Sequence, residues 1–550
     1  MRLGLLVVLG TSLAHAAPPP VAKIDAVMKA WTKTTPGCAV AVTQQGKVTF
    51  SKGYGMADLE RSVPITPATV FDIGSVSKQF TAATIHLLAA DGKLSLADDI
   101  RKHLPQLPAL SKQPVTIRNL LNHTGGLRDY EAILIFSGRK IADVASSAET
   151  LAALARQRGN DFEPGAKWQY SNTGYFVLAQ IAERASKQAM ADAARDRIFK
   201  PLGMTSTQIL DDHARIIPGR AIAYAPTQAG WQLEMSQWEQ TGDGAVQTTV
   251  LDLARWDANF TDKKVGGAAL IDAMETRGKL ANGKELDYAT GLVHGSYRGQ
   301  PTIGHGGAWA GYRASLVRFP KLRSSVIVLC NSASANPSAL SNQIADAVFD
   351  KQLGPTGDKP ADKPAPTIEL TSAELDAWVG VYRATESGEV VKVKRDDKVL
   401  AIEGGEVIPL APTSKHAFRL GPTPFTIEFA GTKPKRTAVL KIRGDEEKLV
   451  EVAIYKPSAA ELSAMDGRYW SPELQAMWTI KVEQGNAVLD GPNLVNAVLE
   501  LTSPTKPPTA RPTSRSRSPS RGSRSPASCA CASRSSAPRD DDVLIRQLRR

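Results

Sequence analysis

With 550 residues, of which 42% are hydrophobic, the chain has the length of roughly three or four globular domains. Its net charge is +12, but eleven basic and only three acidic residues fall within 503–550, so the remainder of the chain carries only +4. The charge therefore gives no reason to expect nucleic-acid binding by the folded part of the chain, and we expect no nucleic-acid partner.

The N-terminus has the pattern of a secretory signal peptide. Arg2 precedes a short apolar run over 3–13, and an Ala-His-Ala cleavage site ends at Ala16. The run is too short to span a membrane, and no other stretch of the sequence is long enough. We therefore expect residues 1–16 to be removed, and the mature protein to be periplasmic or secreted with no membrane span.

Two apolar runs that contain cysteine are predicted to be strands. A hairpin is predicted over 37–56, with its turn at Gln45-Gly46, and Cys38 lies in its first strand. Cys330 ends a second apolar run much later in the chain. If these strands are neighbours, the two cysteines can form a disulfide, although a pair of buried free thiols is the favoured alternative.

A serine and a lysine three residues apart stand at the start of a predicted helix. Apolar residues at helical spacing follow Ser75 and Lys78, and Gly92 indicates the end of the helix. Positions i and i+3 share a face, so the lysine amine is expected beside the serine hydroxyl, where a lysine kept neutral by burial can take its proton. The same spacing occurs at 137–140 and 503–506, but neither copy opens an apolar helix. The alternative interpretation is a serine at a helix start with a lysine on the solvent-exposed face.

The next polar segment lies between a Pro-Gly turn and an amphipathic helix. It contains Tyr170 and Asn172 on one predicted loop. A tyrosine near a lysine can relay protons, and an asparagine can donate a hydrogen bond to a substrate carbonyl. A packing aromatic and a helix cap are the alternative interpretations of these two residues.

A third segment, 302–312, has small residues at 306–308 and leads into two predicted antiparallel strands that end at Cys330. Small residues allow a substrate backbone to lie against a strand edge. The backbone N–H of Ala308 is expected to complete an oxyanion hole with that of Ser75. The alternative is a Gly-rich turn with a surface histidine. The same H-x-G spacing also occurs at His123, in a separate loop.

Three motifs in this order resemble those of the serine β-lactamase and penicillin-binding-protein superfamily: Ser75-x-x-Lys78, Tyr170-x-Asn172 and His305-x-Gly307. The resemblance covers about 25–350 and is strongest to class C β-lactamase-like serine hydrolases, which include D-aminopeptidases, DD-peptidases and esterases. It implies an α+β fold, in which an antiparallel sheet of five or more strands packs against helices beside an all-helical subdomain. The active site of that fold lies between the two.

The resemblance also implies a role for each motif residue. Ser75 is expected to be the acyl-forming nucleophile, with Lys78 and Tyr170 sharing the general acid and base work. The substrate-binding residues that it implies are Asn172, His305, Gly307 and Ala308. It implies no metal ion and no cofactor. Many relatives have a lysine at the position of His305, so this difference disfavours efficient β-lactamase activity and favours peptidase, aminopeptidase or esterase chemistry.

The expected function is therefore that of a serine hydrolase acting on amide or ester bonds. Its substrates are expected to be D-amino-acid peptides, peptidoglycan-like peptides, β-lactam-like compounds or small esters. The alternative is a penicillin-binding sensor or scaffold that is acylated and does not turn over. The oligomeric state is left open.

The composition changes near residue 350, which predicts a catalytic domain over 17–350 and a Pro- and Lys-rich linker over 351–366. A repeat follows, in which 372–382 match 459–469, and short β-rich runs come after each copy. This pattern predicts one small antiparallel β-barrel or β-sandwich per copy. The resemblance implies that these barrels are lipocalin-like and that they either restrict the substrate or act as spacers.

The first predicted barrel spans 367–457, and the second, at 458–503, is incomplete. Residues 504–550 are rich in Pro, Ser and Arg and cannot bury a core. They are expected to be a disordered basic tail, or the product of a change of reading frame near residue 503.

Overall fold

The computed structural model describes residues 20–355, 367–385, 388, 390–403, 407–421, 425–442 and 445–499. The chain divides into two compact units, Met1–Asp358 and Lys359–Arg550. The expected signal peptide, residues 356–366 of the expected linker and the expected tail lie outside the described residues.

The N-terminal unit is built on a six-stranded antiparallel sheet. Its strands, with those of three smaller sheets, are β1 (Cys38–Gln44), β2 (Lys47–Tyr54), β3 (Met56–Asp58), β4 (Val63–Pro64), β5 (Phe71–Asp72), β6 (Gln208–Ile209), β7 (Tyr224–Thr227), β8 (Gly230–Leu233), β9 (Val246–Thr248), β10 (Val293–Tyr297), β11 (Gln300–Trp309), β12 (Tyr312–Phe319) and β13 (Ser324–Cys330). The large sheet has the order β10-β11-β12-β13-β1-β2, and the small sheets are β5-β9-β6, β3-β4 and β7-β8. The expected sheet of five or more antiparallel strands is confirmed.

The hairpin predicted around Gln45-Gly46 is β1 and β2. Both turn residues have positive φ, +53° and +74°, as a two-residue turn that continues the strand twist requires. β1 also pairs with β13, and this register sets Cys38 directly opposite Cys330, with their Cα atoms 4.0 Å apart. The two cysteines form a disulfide. The favoured expectation of two free thiols is therefore wrong, because the pairing of the two strands could not be derived from the sequence.

Helices cover both faces of this sheet. They are α1 (Val21–Val27), α2 (Lys78–Ala90), α3 (Ile117–Leu121), α4 (Tyr130–Phe136), α5 (Ser147–Ala155), α6 (Asn172–Ser186), α7 (Met190–Ala194), α8 (Lys200–Leu202), α9 (Val250–Asp262), α10 (Gly267–Glu275) and α11 (Pro337–Phe349). On one face, Ile24 of α1 and Phe349 of α11 join one apolar core with Val40 and Val328 of the sheet. None of the described helices is both long and apolar enough to span a bilayer.

The helix α2 runs through the interior of the unit. Phe80 packs against Phe199 and Trp256, with ring centroids 5.2 and 4.9 Å away, and all three side chains are buried. The predicted helix after Ser75 is confirmed, and it ends at Ala90. The structure differs from the prediction at the start of the helix, because Ser75 lies in a 3₁₀ turn, Gly74–Ser77, that leads directly into α2.

The C-terminal unit begins with α12 (Ser372–Asp376) and a closed barrel of eight antiparallel strands around Trp378, Tyr382, Phe418 and Phe429. The strands are β14 (Gly380–Ala384), β15 (Val390–Asp396), β16 (Val399–Glu403), β17 (Ile408–Pro412), β18 (Ala417–Leu420), β19 (Thr426–Ala430), β20 (Thr437–Ile442) and β21 (Asp445–Val452). The second repeat forms α13 (Ala459–Met465) and, among the described residues, an open four-stranded sheet. That sheet consists of β22 (Gly467–Ser471), β23 (Ala476–Glu483), β24 (Asn486–Gly491) and β25 (Leu494–Leu499).

Candidate active site

The turn that carries Ser75 lies in direct backbone contact with β11. Two glycines permit this approach. A Cβ atom added at Gly307 would lie 2.0 Å from the carbonyl oxygen of Ile73, and one added at Gly74, where φ is +49°, would lie 2.7 Å from the backbone nitrogen of Ala308. Since real Cβ atoms do not approach other atoms so closely, any larger residue at either position would separate the strand from the serine.

Lys78 lies one helical turn after Ser75 and points back at it. Its Nζ donates to the Ser75 Oγ at 3.1 Å, to Oδ1 of Asn172 at 2.7 Å and to the backbone carbonyl of Asp243 at 2.8 Å. The side chain is fully buried, whereas Ser75 is half-buried. The alternative interpretation, a lysine on the solvent-exposed face of the helix, is therefore wrong.

Asn172 connects this lysine to the carboxyl group of Glu131. Its Oδ1 accepts from Lys78, and its Nδ2 donates to Oε1 of Glu131 at 2.7 Å. These two partners fix which end of the amide is oxygen. The cap of α6 is Ser171, whose Oγ accepts from the N–H of Gly174 at 3.1 Å. The interpretation of Asn172 as the helix cap is therefore wrong by one residue.

Glu131 was not among the predicted site residues. It lies in the first turn of α4, whose N-cap is Asp129, and its side chain is partly buried. Burial, with the negative charges of Asp129 and Asp243, raises the pKa of the Glu131 carboxyl well above its ordinary value. In the sequence, Glu131 follows shortly after the His-Thr-Gly-Gly loop that precedes α4, and this position could have indicated that it lies near the site. Nothing in that pattern showed where its carboxyl group would point.

Tyr170 lies beside Lys78 and also packs against His123. The Nζ of Lys78 is 4.8 Å from the centre of the Tyr170 ring, and the His123 ring centre is 4.4 Å from it. Its side chain remains 36% exposed, so it reaches the solvent-facing side of the site. The structure thus brings Tyr170 to Lys78 while giving it the packing contact that the alternative interpretation expected.

Two histidines flank Tyr170, and only one of them was predicted to belong to the site. The predicted one, His305 in β11, lies 3.3 Å from the Tyr288 hydroxyl through Nε2, and 2.5 Å from the carbonyl of Gly306 through Nδ1. Burial, with the nearby charge of Lys78, lowers the pKa of His305 to about 4, so this ring is neutral at neutral pH. The structure also brings His123, the histidine of the other H-x-G sequence, to this site.

His123 is held in one tautomer by the backbone. Its Nδ1 accepts from the N–H of Ser171 at 3.1 Å, which leaves the proton on Nε2. Burial, and then the charges of Lys78 and His305, lower the pKa of the His123 ring well below its ordinary value. The residue has a positive φ of +58°, and this local turn directs its ring at Tyr170.

The register of β11 directs the N–H of Ala308 toward Ser75. Trp309 and Tyr312 close the two-residue turn between β11 and β12, and Ala308 pairs with Arg313 in the next position along. Because alternate residues of an antiparallel strand bond to opposite neighbours, the N–H of Ala308 points away from β12 and toward the Ser75 turn. Two backbone N–H groups, of Ser75 and Ala308, therefore stand at the junction of the turn and the strand.

A cavity opens next to the serine. Three predicted site residues line it, Ser75, Asn172 and Ala308, together with Glu131 and Asp243, which the sequence analysis missed. The rings of two further lining residues, Trp238 and Trp309, lie 5.6 Å apart. The other predicted residues, Lys78, Tyr170, His305 and Gly307, surround the serine without lining this cavity.

Comparison with known proteins gives a consistent family assignment. A family model described as beta-lactamase matches residues 22–351. Penicillin-binding protein 4* of Bacillus subtilis strain 168 is 30% identical over 433 residues, which covers 75% of this chain and 94% of that protein. A D-aminopeptidase of Brucella anthropi is 26% identical, and the match covers 82% of each chain.

Solved structures show the same fold. The octameric penicillin-binding protein homologue from Pyrococcus abyssi aligns with a TM-score of 0.56 at 25% identity, over 78% of this chain and 100% of that one. The D-amino acid amidase from Ochrobactrum anthropi SV3 aligns with a TM-score of 0.52 at 21% identity, over 60% of this chain and 99% of that one.

Proposed function

The chain belongs to the β-lactamase family of serine hydrolases, and we propose that it cleaves amide bonds of D-amino-acid amides or short peptides through an acyl-enzyme on Ser75. One observation carries the proposal, namely that the Lys78 Nζ lies 3.1 Å from the Ser75 Oγ beside a cavity that Ser75 lines. D-aminopeptidases are among the relatives, which favours D-amino-acid substrates over other acyl donors.

Acylation begins when the Ser75 Oγ attacks the substrate carbonyl carbon. Lys78 and Tyr170 together take the hydroxyl proton and deliver it to the leaving nitrogen, so the C–N bond breaks and the amine departs neutral. The negative charge on the carbonyl oxygen is held by the N–H groups of Ser75 and Ala308. The product of this step is an ester between the acyl group and Ser75.

Deacylation uses the same groups in reverse order. A water molecule loses a proton to the Lys78–Tyr170 pair and attacks the ester carbon, and the proton returns to the Ser75 Oγ as the acid leaves. Asn172, which contacts Lys78 and lines the cavity, positions the acyl group in both steps. His305 and Gly307 bound the site along β11, where Gly307 allows the strand to lie against the turn that carries Ser75.

The neutral state of His305 supports an amidase or esterase over a β-lactamase. A positive charge at this place would attract the carboxylate of a β-lactam, and the lowered pKa of His305 removes that charge at neutral pH. We therefore assign the activity to aminopeptidase-type amides, with small esters as a second substrate class. A carboxypeptidase, which must hold a free substrate carboxylate, is disfavoured for the same reason.

We also propose that the mature protein works in the periplasm or outside the cell, after cleavage behind Ala16. The Cys38–Cys330 disulfide supports this location, because disulfides persist in oxidising compartments. In this proposal the catalytic domain is 17–350, and the eight-stranded barrel is a lipocalin-like accessory domain that either restricts substrate access or acts as a spacer.

The proposal is tested with D-alanine p-nitroanilide and its L enantiomer, using wild type and Ser75→Ala. We expect wild type to release p-nitroaniline faster from the D form and Ser75→Ala to release none. Hydrolysis of p-nitrophenyl acetate without hydrolysis of either anilide would replace the amidase by an esterase. A lasting penicillin adduct without hydrolysis of any substrate would favour the alternative, a penicillin-binding sensor or scaffold.

A further inference from the structure

Aromatic side chains form a continuous cluster around Tyr170, outside the cavity that Ser75 lines. Trp168 and Tyr170 are two residues apart, and their side chains are 40% and 36% exposed. Both pack on the buried ring of Tyr288, whose centre lies 6.1 Å from that of Trp168 and 6.5 Å from that of Tyr170. The half-buried ring of His305 lies 6.1 Å from Tyr170 and 5.8 Å from Tyr288. We call Trp168, Tyr170 and His305 the aromatic platform.

The loop that carries two of these rings is held in place by His123. The N–H of Gln169 donates to the His123 carbonyl at 3.0 Å, and the N–H of Ser171 donates to the His123 Nδ1 at 3.1 Å. The His123 ring is buried, and its centre lies 4.4 Å from that of Tyr170 and 6.2 Å from that of Trp168. Because the two exposed rings are already held from below, a ligand that packs on them orders little of the protein.

The proposed reaction determines which part of a substrate meets the aromatic platform. The carbonyl carbon that Ser75 attacks carries an oxygen, the acyl chain and the leaving nitrogen. The N–H groups of Ser75 and Ala308 hold the oxygen, and the cavity that Ser75 lines accepts the acyl chain. The leaving nitrogen then lies beside Tyr170, because Lys78 and Tyr170 deliver its proton.

A group attached to that nitrogen extends over the aromatic platform, because none of the three platform residues lines the cavity. The faces and edges of aromatic rings attract another ring beyond the gain from burying apolar area. Burial lowers the pKa of His305 to about 4, so its ring offers no charge to an ionic group at pH 7. An aromatic leaving group therefore gains more on this surface than an aliphatic group of the same size.

We propose that the aromatic platform is the leaving-group subsite, and that Trp168 selects substrates whose leaving amine carries an aromatic ring. The inference rests on the proposed function, which supplies the acyl-enzyme reaction and the place of the leaving nitrogen. It adds the chemical class of the leaving group and one specificity-determining residue.

Two substrates test the preference, D-alanine benzylamide and D-alanine cyclohexylmethylamide. They have the same acyl residue and attach the ring through the same CH₂ group, so they differ mainly in whether the ring is aromatic. Release of each amine is followed by chromatography. We expect wild type to hydrolyse the benzylamide with a kcat/KM about fivefold higher, the size of effect of one added aromatic pair.

The variant Trp168→Leu tests the assignment to this residue, because it keeps an apolar side chain and removes the aromatic ring. We expect the ratio of the two kcat/KM values to fall to about one, and Trp168→Phe to retain most of the wild-type ratio. Trp31→Leu makes the same change in a half-buried tryptophan that packs against the core of the large sheet, and it should keep the wild-type ratio. Partial unfolding of a variant lowers both rates equally and leaves this ratio unchanged.

The outcomes distinguish this inference from the proposed function. If wild type hydrolyses both amides equally well, or prefers the aliphatic one, the inference is wrong while the amidase proposal stands. A preference for the benzylamide that persists in Trp168→Leu would overturn the role of Trp168.

If wild type hydrolyses neither amide, the aromatic platform is judged by the Kd of each amide, measured by calorimetry. Tighter binding of the benzylamide to wild type, lost in Trp168→Leu, still supports the subsite, whereas equal Kd values or no binding of either amide overturn it. The proposed function itself fails only if D-alanine p-nitroanilide is also left intact.

Discussion

The Nδ2 of Asn172 donates to Oε1 of the Glu131 carboxyl group at 2.7 Å, while the other end of the same amide accepts from Lys78 at 2.7 Å. This bridge links the proposed general base to a carboxyl group that lines the cavity. It means that the position of the lysine amine depends on a side chain 94 positions along the chain, at the start of a different helix.

We predict that Asn172→Leu, which is similar in size and cannot form hydrogen bonds, lowers kcat/KM by about tenfold or more. The buried Lys78 amine loses one of its three acceptors, and Glu131 loses its donor. Ser171→Ala is the matched control. It removes the cap of α6 and should lower the free energy of unfolding by about 1 kcal/mol with little change in kcat/KM. Equal activity of Asn172→Leu and wild type would show that the bridge has no role in the reaction.

Gly307 is predicted to be indispensable, and its neighbour is not. Gly307→Ala places a Cβ 2.0 Å from the Ile73 carbonyl and must move β11 away from the Ser75 turn, whereas a Cβ at Gly306 meets nothing nearer than 3.8 Å. Fluorophosphonate labelling of Ser75 should therefore slow by about a hundredfold in Gly307→Ala, the cost of losing an oxyanion donor. Gly306→Ala should be labelled at the same rate as wild type. Equal labelling rates for the two variants would contradict the close contact between Gly307 and the Ile73 carbonyl.

His305→Lys is expected to change which substrates acylate the serine. It replaces a ring that is neutral above pH 4 by a side chain that stays positively charged at neutral pH. The rate of acylation by benzylpenicillin should rise by about tenfold, because the charge attracts the β-lactam carboxylate. Hydrolysis of a D-alanine anilide, which has no carboxylate, should not rise. A parallel change in both rates would show that His305 does not discriminate by charge.

The disulfide between Cys38 and Cys330 should contribute strongly to stability. It joins residues 292 positions apart, so it removes a large amount of chain entropy from the unfolded state. We expect the Cys38→Ser, Cys330→Ser double variant to lose about 2–4 kcal/mol in urea unfolding. Peptide mapping without reductant should recover the two cysteines in one linked product. Recovery of both as free thiols from oxidised protein would contradict the structure.

The buried carboxyl of Asp243 predicts how stability changes with pH. Burial raises its pKa from 3.8 to about 6, so the folded state binds the proton more tightly than the unfolded state does. The contribution of the Asp243 carboxyl to the free energy of unfolding is therefore fully present below about pH 4, and it is lost as the pH rises to about 6. The Tm of Asp243→Asn should accordingly increase relative to wild type over this interval and then level off.

The control variant is Asp58→Asn, which changes a buried carboxylate outside the cavity. The pH dependence of its Tm should have the opposite sign. Backbone and side-chain hydrogen bonds from Arg61 outweigh burial and lower the pKa of Asp58, so this carboxylate stabilises the protein above the ordinary carboxyl pKa. The Tm of Asp58→Asn should therefore fall relative to wild type as the pH rises through about 4. Parallel pH profiles for the two variants would contradict both assignments.

Local patterns in the sequence predicted the elements that carry the motifs. The three-residue spacing of Ser75 and Lys78 needs only one helical turn to become a contact, and the hairpin at Gln45-Gly46 needs only two residues with positive φ. Choosing between Ser171 and Asn172 as the cap of α6 was beyond the sequence, because both residue types cap helices well and they are adjacent.

Contacts between distant segments could not be predicted in this way. Asp243 and His123 lie in loops, and Glu131 lies in the first turn of a helix that follows a loop; packing sets the paths of these loops, and no periodicity describes them. The pairing of Cys38 with Cys330 likewise follows from the order of strands in the sheet. The family motifs therefore identified the residues around the serine, while the acidic wall of the cavity became visible only in three dimensions.

The most direct test of the account is the mass of the intact protein after reaction with a fluorophosphonate probe, followed by peptide mapping. The account predicts one stable adduct on the peptide that contains Ser75, no adduct in Ser75→Ala, and only a transient adduct when benzylpenicillin is used instead. An unlabelled but folded wild-type protein, or an adduct that persists in Ser75→Ala, would contradict the assignment of Ser75 as the nucleophile.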